Sequence, residues 1–485
     1  MAETPTDWHL ENTYVTLPKV FYSEQQPIPV KNPALVYFNT PLAMDLGLGF
    51  LEPSNQNSIE IFSGNRLPPN SQPLAQAYAG HQFGYFNMLG DGRAILLGEQ
   101  ISPEGKRIDV QLKGAGQTPY SRRGDGRATL YSMLREYLIS EAMHYLNIPT
   151  TRSLAVVTTG EYLVRESRHT GAVLTRTAQS HIRVGTFEFA SYYGTKEDLQ
   201  ALTNYTISRH YPELRDSENP PLELLRVVLH QQIELIVHWM RVGFIHGVMN
   251  TDNMSIAGET IDYGPCAFMN AFDPKTVFSS IDTNGRYAFG NQPAIAQWNL
   301  AKFASALLPI ISVDQDNAVK IATTVLEEFK DTYTNKWYRM MSNKLGIMES
   351  TVQGRSVIDE LLSLMESHQA DYTQLFLKLE QDSIKEDPIF MEEDFKNWHQ
   401  NWKKTYMHDF KNKEALALMR SNNPRIIPRN HWVENALESA VDGQLNPMTT
   451  LLEQLSRPYE EHSKALQFEN LPNRFDEQYQ TFCGT

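Results

Sequence analysis

The stretch Gly243-Phe244-Ile245-His246-Gly247-Val248-Met249-Asn250-Thr251-Asp252-Asn253, with Asp262-Tyr263-Gly264 beginning nine residues after Asn253, constrains this chain more than any other. It reads as a loop between buried segments. The apolar-periodic run from Leu222 to Met240 before it reads as a core helix. Met254-Ser255-Ile256 and Thr260-Ile261-Asp262 after it read as two short strands joined at Gly258-Glu259. An amide and two carboxylates this close supply hard oxygen ligands. Such ligands suit a magnesium ion that keeps some water and shares nucleotide phosphates.

His246, then Asn253 seven residues on, then a separate Asp-aromatic-Gly resembles the protein-kinase catalytic loop with its metal-binding Asp-Phe-Gly. A kinase places its base two residues after that histidine. Here that position is Val248, which cannot accept a proton, while Asp252 stands just before the asparagine. The metal-holding parts are kept and the base is lost or moved.

A chain of 485 residues can bury a large core and divide into two or three domains. No apolar run reaches the roughly 18 to 20 residues that span a bilayer. The first residues, Met1 to Pro5, have neither the basic nor the apolar region of a secretory signal. A formal charge of −14 argues against a nucleic-acid surface. The two cysteines, Cys266 and Cys483, exclude a disulfide scaffold and a cysteine-based zinc site. Their number favours free thiols in a reducing, cytoplasmic setting.

Residues 1–75, rich in Pro and Asn, read as an N-terminal extension packed on two lobes. Residues 76–180 read as the upper lobe, 181–310 as the lower lobe with the catalytic loop and an activation segment, and 311–485 as a mostly helical region with a loose tail. The expected class is therefore α+β, with a protein-kinase-like two-lobed fold. Within the upper lobe, Gly90-Asp91-Gly92-Arg93-Ala94 can bring backbone N–H groups to phosphates, although Gly-Asp-Gly is more often a plain turn. Arg93 would offset the charge of Asp91. Ile108 to Lys113 alternates as a half-buried strand does, ending at Lys113 before Gly114-Ala115-Gly116. A strand lysine behind a glycine loop matches the kinase lysine that grips phosphates; a solvated surface lysine is the common alternative.

Gly124-Asp125-Gly126-Arg127-Ala128 repeats the earlier pentapeptide and reads as a turn before a helix from Thr129 to Asn147, whose N-terminus could meet a phosphate. Glu136 in that helix could pair with Lys113, as a kinase helix-C glutamate does, or form ordinary helical pairs. Leu154 to Val157, Glu161 to Arg165 and Gly171 to Arg176 read as three strands. Arg176 and Arg183 are isolated in apolar surroundings and need anionic partners, either carboxylates or phosphates.

Tyr78 to Gly84, Leu89 to Ala94, Gln111 to Gly116, His246 to Met254, Glu259 to Cys266 and Asn291-Gln292-Pro293 together resemble one family over nearly the whole chain. It is the selenoprotein O (SelO) family, the kinase-like protein adenylyltransferases. The resemblance implies AMP transfer from ATP to Ser, Thr or Tyr hydroxyls of proteins, with self-modification as one outcome. It implies a nucleotide inverted relative to that of kinases, and release of pyrophosphate. Carried onto this chain, it makes Asp252 the proton acceptor and Asn253 and Asp262 the ligands of magnesium or manganese. Gly90, Gly92, Arg93, Lys113, Asp125, Gly126, Arg176, Arg183 and Asp262 would contact ATP, and Glu136 would support Lys113. Some relatives carry selenocysteine near the end where this chain has Cys483; a sulfur placed there, with Cys266 in the expected activation segment, suggests a reversible Cys266–Cys483 disulfide that could pin the tail over the site. The rivals are a kinase that transfers the γ-phosphate and an ATP-binding pseudokinase scaffold. No nucleic-acid or membrane partner is expected.

Overall fold

Alternation along the strands decides where the chemistry goes. The computed structural model describes residues 7–348, 351–381, 388–407, 413–461, 466–469, 471 and 475–482. The strands are β1 (Leu10–Glu11), β2 (Tyr22–Glu24), β3 (Ala34–Phe38), β4 (Leu74–Gln76), β5 (Ala79–Gln82), β6 (Tyr85–Met88), β7 (Ala94–Ile101), β8 (Arg107–Lys113), β9 (Ala128–Thr129), β10 (Arg152–Val164) and β11 (Arg168–Ala178). β5 and β6 form a separate hairpin. The others form one sheet in the order β2-β4-β7-β8-β11-β10-β3, with β1 on β7 and β9 on β11.

Successive side chains of a strand point to opposite faces. Ile95, Leu97, Val110, Leu112, Val157 and Val173 share one core with residues of the short helices Thr40–Asp45 and Gln56–Ser63. Leu96, Val156 and Leu174 belong to the other, larger core, with Leu134 and Leu138 of the helix Leu130–Tyr145. β11 runs antiparallel to β8 and sets Leu174 opposite Lys113 and Arg176 opposite Gln111. Lys113 and Arg176 therefore emerge on the same face, toward that helix.

Sheet pairing reaches further than the sequence pattern indicated. β3 pairs with β10, and β2 and β4 extend the sheet beyond β7, so strands from the first 75 residues are edges of the sheet itself. Glu161 to Val164 continues β10 across a register shift between Thr158 and Tyr162, giving two long strands where three short ones were expected.

Below the sheet, the helix Pro220–Val242 carries the catalytic loop. Asn219 caps it by accepting from Leu222 N–H, and Gly243 closes it at φ 73°, a left-handed conformation that glycine adopts without a Cβ penalty. Leu225, Leu229, Ile233 and Ile236 are buried along one stripe. Phe244–Ile245 then pairs with Ala267–Phe268 and ties together the ends of the intervening segment. Inside it, the two expected strands are absent: Ser255 and Thr260 make isolated bridges, to Arg183 and Thr150 respectively. Each is held by a distant segment, and they do not pair with each other.

One apolar run is longer than expected. Phe289–Ile311 is long and apolar enough, by length and composition, to cross a bilayer. It packs against the helices Val184–Tyr193, Pro220–Val242 and Gln315–Lys344, as a core helix does. In the remainder, the run expected from Val357 to Leu379 divides into Val352–Ser367 and Gln374–Gln381, with Gln369 at φ 53° between them. Asn430–Val441 and Asn446–Leu455 pack on Leu130–Tyr145 and so brace that helix.

Candidate active site

Three cations meet one carboxylate between sheet and loop. Lys113 Nζ lies 2.6 Å from Asp262 Oδ1 and 2.5 Å from Glu136 Oε2. Arg176 donates to the same Asp262 oxygen at 2.7 Å, to Glu136 Oε1 at 3.1 Å and to Gln111 Oε1 at 2.7 Å. Arg183 donates to Asp262 Oδ2 at 3.1 Å and to the Asp252 carbonyl at 2.9 Å, with its guanidinium stacked over Tyr78. Burial acts to raise the Asp262 carboxyl, but Lys113, Arg176 and Arg183 together hold it well below the usual range. Asp262 sits at φ 65°, uncommon for a residue with a side chain and a mark of a position fixed by its surroundings. Both arginines singled out as needing anionic partners thus find them, and Glu136 is the partner of Lys113.

The loop itself is tied down from inside. His246 Nε2 donates to the Ile261 carbonyl at 3.0 Å, and its Nδ1 accepts from Val248 N–H at 3.3 Å, which fixes a neutral ring tautomer. Asn253 spends its amide nitrogen on the Val248 carbonyl at 3.0 Å, which leaves Oδ1 to serve as an oxygen ligand. Among the described residues, no three His, Cys, Asp or Glu side chains gather into a metal cage. Asn253 and Asp262 fit instead the sparse donor set of a magnesium ion that takes its other oxygens from phosphates and water.

Asp252 is buried, and its Oδ1 has no hydrogen-bond partner. Burial pushes its carboxyl up to about 6, against the pull of Arg183. The hairpin β5–β6 covers it closely: a Cβ on Gly80 would stand 2.5 Å from Asp252 Oδ1. His81 N–H donates to Thr251 Oγ1 at 2.7 Å, Thr251 in turn donates to Glu188, and Glu188 meets His81 Nδ1 at 2.5 Å. Burial raises Glu188 to about 7. This His81–Glu188–Thr251 ring locks the hairpin to the candidate base, and the sequence reading missed it. A lone acid in the apolar run Val184 to Ala190 was its available signal.

The expected glycine contacts are placed less directly. Gly90, Gly92 and Arg93 lead into β7, with the Arg93 carbonyl accepting from Gly114 N–H at 2.7 Å. Gly126 packs so tightly on Gly116 that a Cβ there would lie 2.1 Å from its carbonyl carbon. The second Gly-Asp-Gly turn therefore closes on the loop after Lys113. The helix begins where expected, capped by Thr129, and the short strand β9 stands between it and the turn. Asp125 lies outside the Asp262 cluster and pairs with Arg165 at 2.8 Å.

Two further networks matter. Arg135, next to Glu136, donates to the carbonyls of Gly264 and Cys266 at 3.1 and 2.6 Å and pairs with Glu434 at 2.9 Å. The helical C-terminal region thereby holds the Glu136 helix against the segment after Asp262. At the junction of the lobes, Gln179 N–H donates to Glu259 at 3.0 Å and His181 N–H to Asp109 at 2.9 Å. Cys266 is buried, which pushes its thiol up to about 11. Cys483 lies outside the described residues, as does the expected pairing. Thr481 reaches the Pro265 carbonyl at 2.7 Å.

A strand lysine paired with a helix glutamate, above an Asn-containing loop and a separate aspartate, defines a phosphate-handling enzyme of protein-kinase-like, two-lobed fold. Residues 6–456 match the family described as protein adenylyltransferase SelO, and the chain belongs to that family. It is similar to the protein nucleotidyltransferases YdiU of Bacillus cereus and of Bacillus thuringiensis subsp. konkukian. Each is 54% identical over 480 residues, covering 99% of this chain and 98% of theirs. A solved structure of ROP2 from Toxoplasma gondii, described as having a protein-kinase fold and no enzymatic activity, aligns with 60% of this chain and 87% of its own. Its identity is 11% and its TM-score 0.26, too low to support any argument. Family membership makes the chain a protein nucleotidyltransferase and sets aside the kinase and scaffold readings.

Proposed function

We propose that this chain transfers AMP from ATP to Ser, Thr or Tyr hydroxyls of proteins, itself included, with ATP turned round relative to a kinase. The observation that carries the orientation lies at the junction of the lobes. A kinase-like pose would need backbone donors there for adenine. Gln179 and His181 N–H are already taken by Glu259 and Asp109, and Arg209 pairs with Asp109 at 2.5 Å. Lys113, Arg176 and Arg183 instead gather, buried, around Asp262. That environment suits the β- and γ-phosphates.

In this pose the acceptor oxygen attacks the α-phosphorus and the bond from that phosphorus to the β-bridging oxygen breaks. Pyrophosphate leaves toward the three cations, which oriented donors can stabilise as charge builds on it. Asp252 takes the hydroxyl proton. A carboxyl near 6 is mostly ionised at pH 7 and is a stronger base than an ordinary carboxylate. Asn253 and Asp262 would hold magnesium or manganese, which supplies Lewis-acid stabilisation when bound. A bound triphosphate would also compete for the cations now on Asp262, freeing its oxygens. Gly90, Gly92, Arg93, Asp125 and Gly126 are assigned to the walls around the nucleotide.

ATP labelled at the α- or γ-phosphate tests the reaction. Label from the α-position should stay on protein and label from the γ-position should leave as pyrophosphate. Retention of γ-label would refute it.

A further inference from the structure

A groove of about 490 Å³ opens beside the catalytic loop, lined in part by Phe83, Tyr85, Ile281, Arg286 and Ile295. Its wall is bonded to that loop. Phe83 N–H donates to Asn250 Oδ1 at 3.2 Å, and the Tyr287 hydroxyl donates to the same oxygen at 2.7 Å. Asn250 stands two residues before Asp252. The groove is therefore fixed in place relative to the candidate base.

Arg286 is its charged feature. The guanidinium is half-buried and lies 4.8 Å from the Trp298 ring centroid, and a Cβ on Gly84 would stand 3.9 Å from it. Its Nε is buried with no hydrogen-bond partner. The nearby acid, Asp282, spends its oxygens on the backbone N–H groups of Arg286 and Tyr287 at 2.8 and 2.7 Å, and no ion pair to Arg286 forms among the described residues. Lys302 adds a second cation, 4.8 Å from the Trp298 centroid. Tyr85 and Ile281 present apolar surface at the rim, 78% and 51% exposed. A partly desolvated guanidinium without a carboxylate is poised for a bidentate anionic partner. In a protein-modifying enzyme, the chemistry that meets apolar rim and unpaired arginine together is an extended polypeptide bearing an acidic side chain.

We propose that this groove seats the acceptor polypeptide and that Arg286 pairs with an Asp or Glu side chain flanking the hydroxyl residue; the proposal rests on the adenylyl-transfer reading above. The test uses the full-length protein, α-labelled ATP and short synthetic peptides with one Ser, Thr or Tyr. Glu, Gln or Lys is placed in turn at each flanking position. Glu at one position should raise kcat/KM about tenfold over Gln, mainly through KM, the scale of one charge-assisted hydrogen bond. Arg286→Gln should erase the preference and Arg286→Glu should turn it toward Lys, with thermal melts confirming that each variant is folded. Equal labelling of Glu, Gln and Lys peptides by the native protein overturns the proposal, without reliance on any variant. So does a Glu preference that survives Arg286→Gln. If no peptide is labelled while the enzyme labels itself, the groove assignment falls and adenylyl transfer stands. If nothing carries α-label, the enzyme included, both fall.

Discussion

Replacing Asp252 with Asn should destroy activity and stabilise the protein, and the two effects have one cause. Burial lifts this carboxyl from an ordinary value near 4 to about 6, and Arg183 offsets only part of the rise. A raised carboxyl means that the folded state penalises the charged form. The penalty is absent below the unfolded value, grows as pH rises toward 6, and is complete above it. Two pH units correspond to an upper bound of about 3 kcal/mol. Asp252→Asn should therefore be more stable than the native protein at pH 7 by up to about 3 kcal/mol, and the gain should shrink to nothing as pH falls from 6 to 4. Transfer of α-label should fall by about a hundredfold or more, the usual contribution of a general base. Urea melts across that pH range, alongside label transfer, measure both. Native kcat/KM should also drop about tenfold for each pH unit below 6. Asp91, likewise raised to about 6 by burial, is the control: Asp91→Asn should keep the acid limb. A variant that is less stable at pH 7, or whose stability gain does not depend on pH, would refute the reasoning.

Other perturbations address the parts around Asp252. Gly80→Ala would force a methyl to within 2.5 Å of Asp252 Oδ1, so kcat should fall at least tenfold with ATP affinity little changed, as nucleotide titration can check. Arg176→Met removes contacts of 3.1, 2.7 and 2.7 Å from a buried cation and leaves Glu136 and Asp262 to share Lys113. It should destabilise by about 3 kcal/mol, the low end for breaking a buried pair, and weaken ATP binding more than tenfold; denaturant melts and calorimetry report the two. Chelation should abolish transfer, and added magnesium or manganese should restore it. Activity that persists in excess chelator would remove Asn253 and Asp262 from the role of metal ligands.

What could be read from the sequence was what local pattern encodes. The alternation from Ile108 to Lys113 put Lys113 on the polar face of its strand, opposite Val110 and Leu112, because strand geometry has a period of two; that face is buried as well, since Asp109, Gln111 and Lys113 are covered from its side of the sheet. Arg176 and Arg183 stood out because a cation in an apolar run needs a partner. The partners themselves come from far along the chain: Asp262 lies 86 residues from Arg176 and 79 from Arg183. Distance in sequence hid the rest. The His81–Glu188 contact spans 107 residues and the Arg135–Glu434 contact 299, and neither leaves a periodic trace. Ser255 and Thr260 looked like strand residues because their neighbours are apolar, yet their bridges go to Arg183 and Thr150. Short edge strands in the first 75 residues were hidden by proline and asparagine, which mark the turns between them.

The direction in which ATP lies is the point on which the mechanism turns. A structure of the full-length protein with a non-hydrolysable ATP analogue and magnesium would measure it directly. The expected result places the γ-phosphate among Lys113, Arg176 and Arg183, with the α-phosphorus facing Asp252 and adenine away from Gln179 and His181. Adenine stacked at Gln179 to His181, with the γ-phosphate toward Asp252, would contradict it.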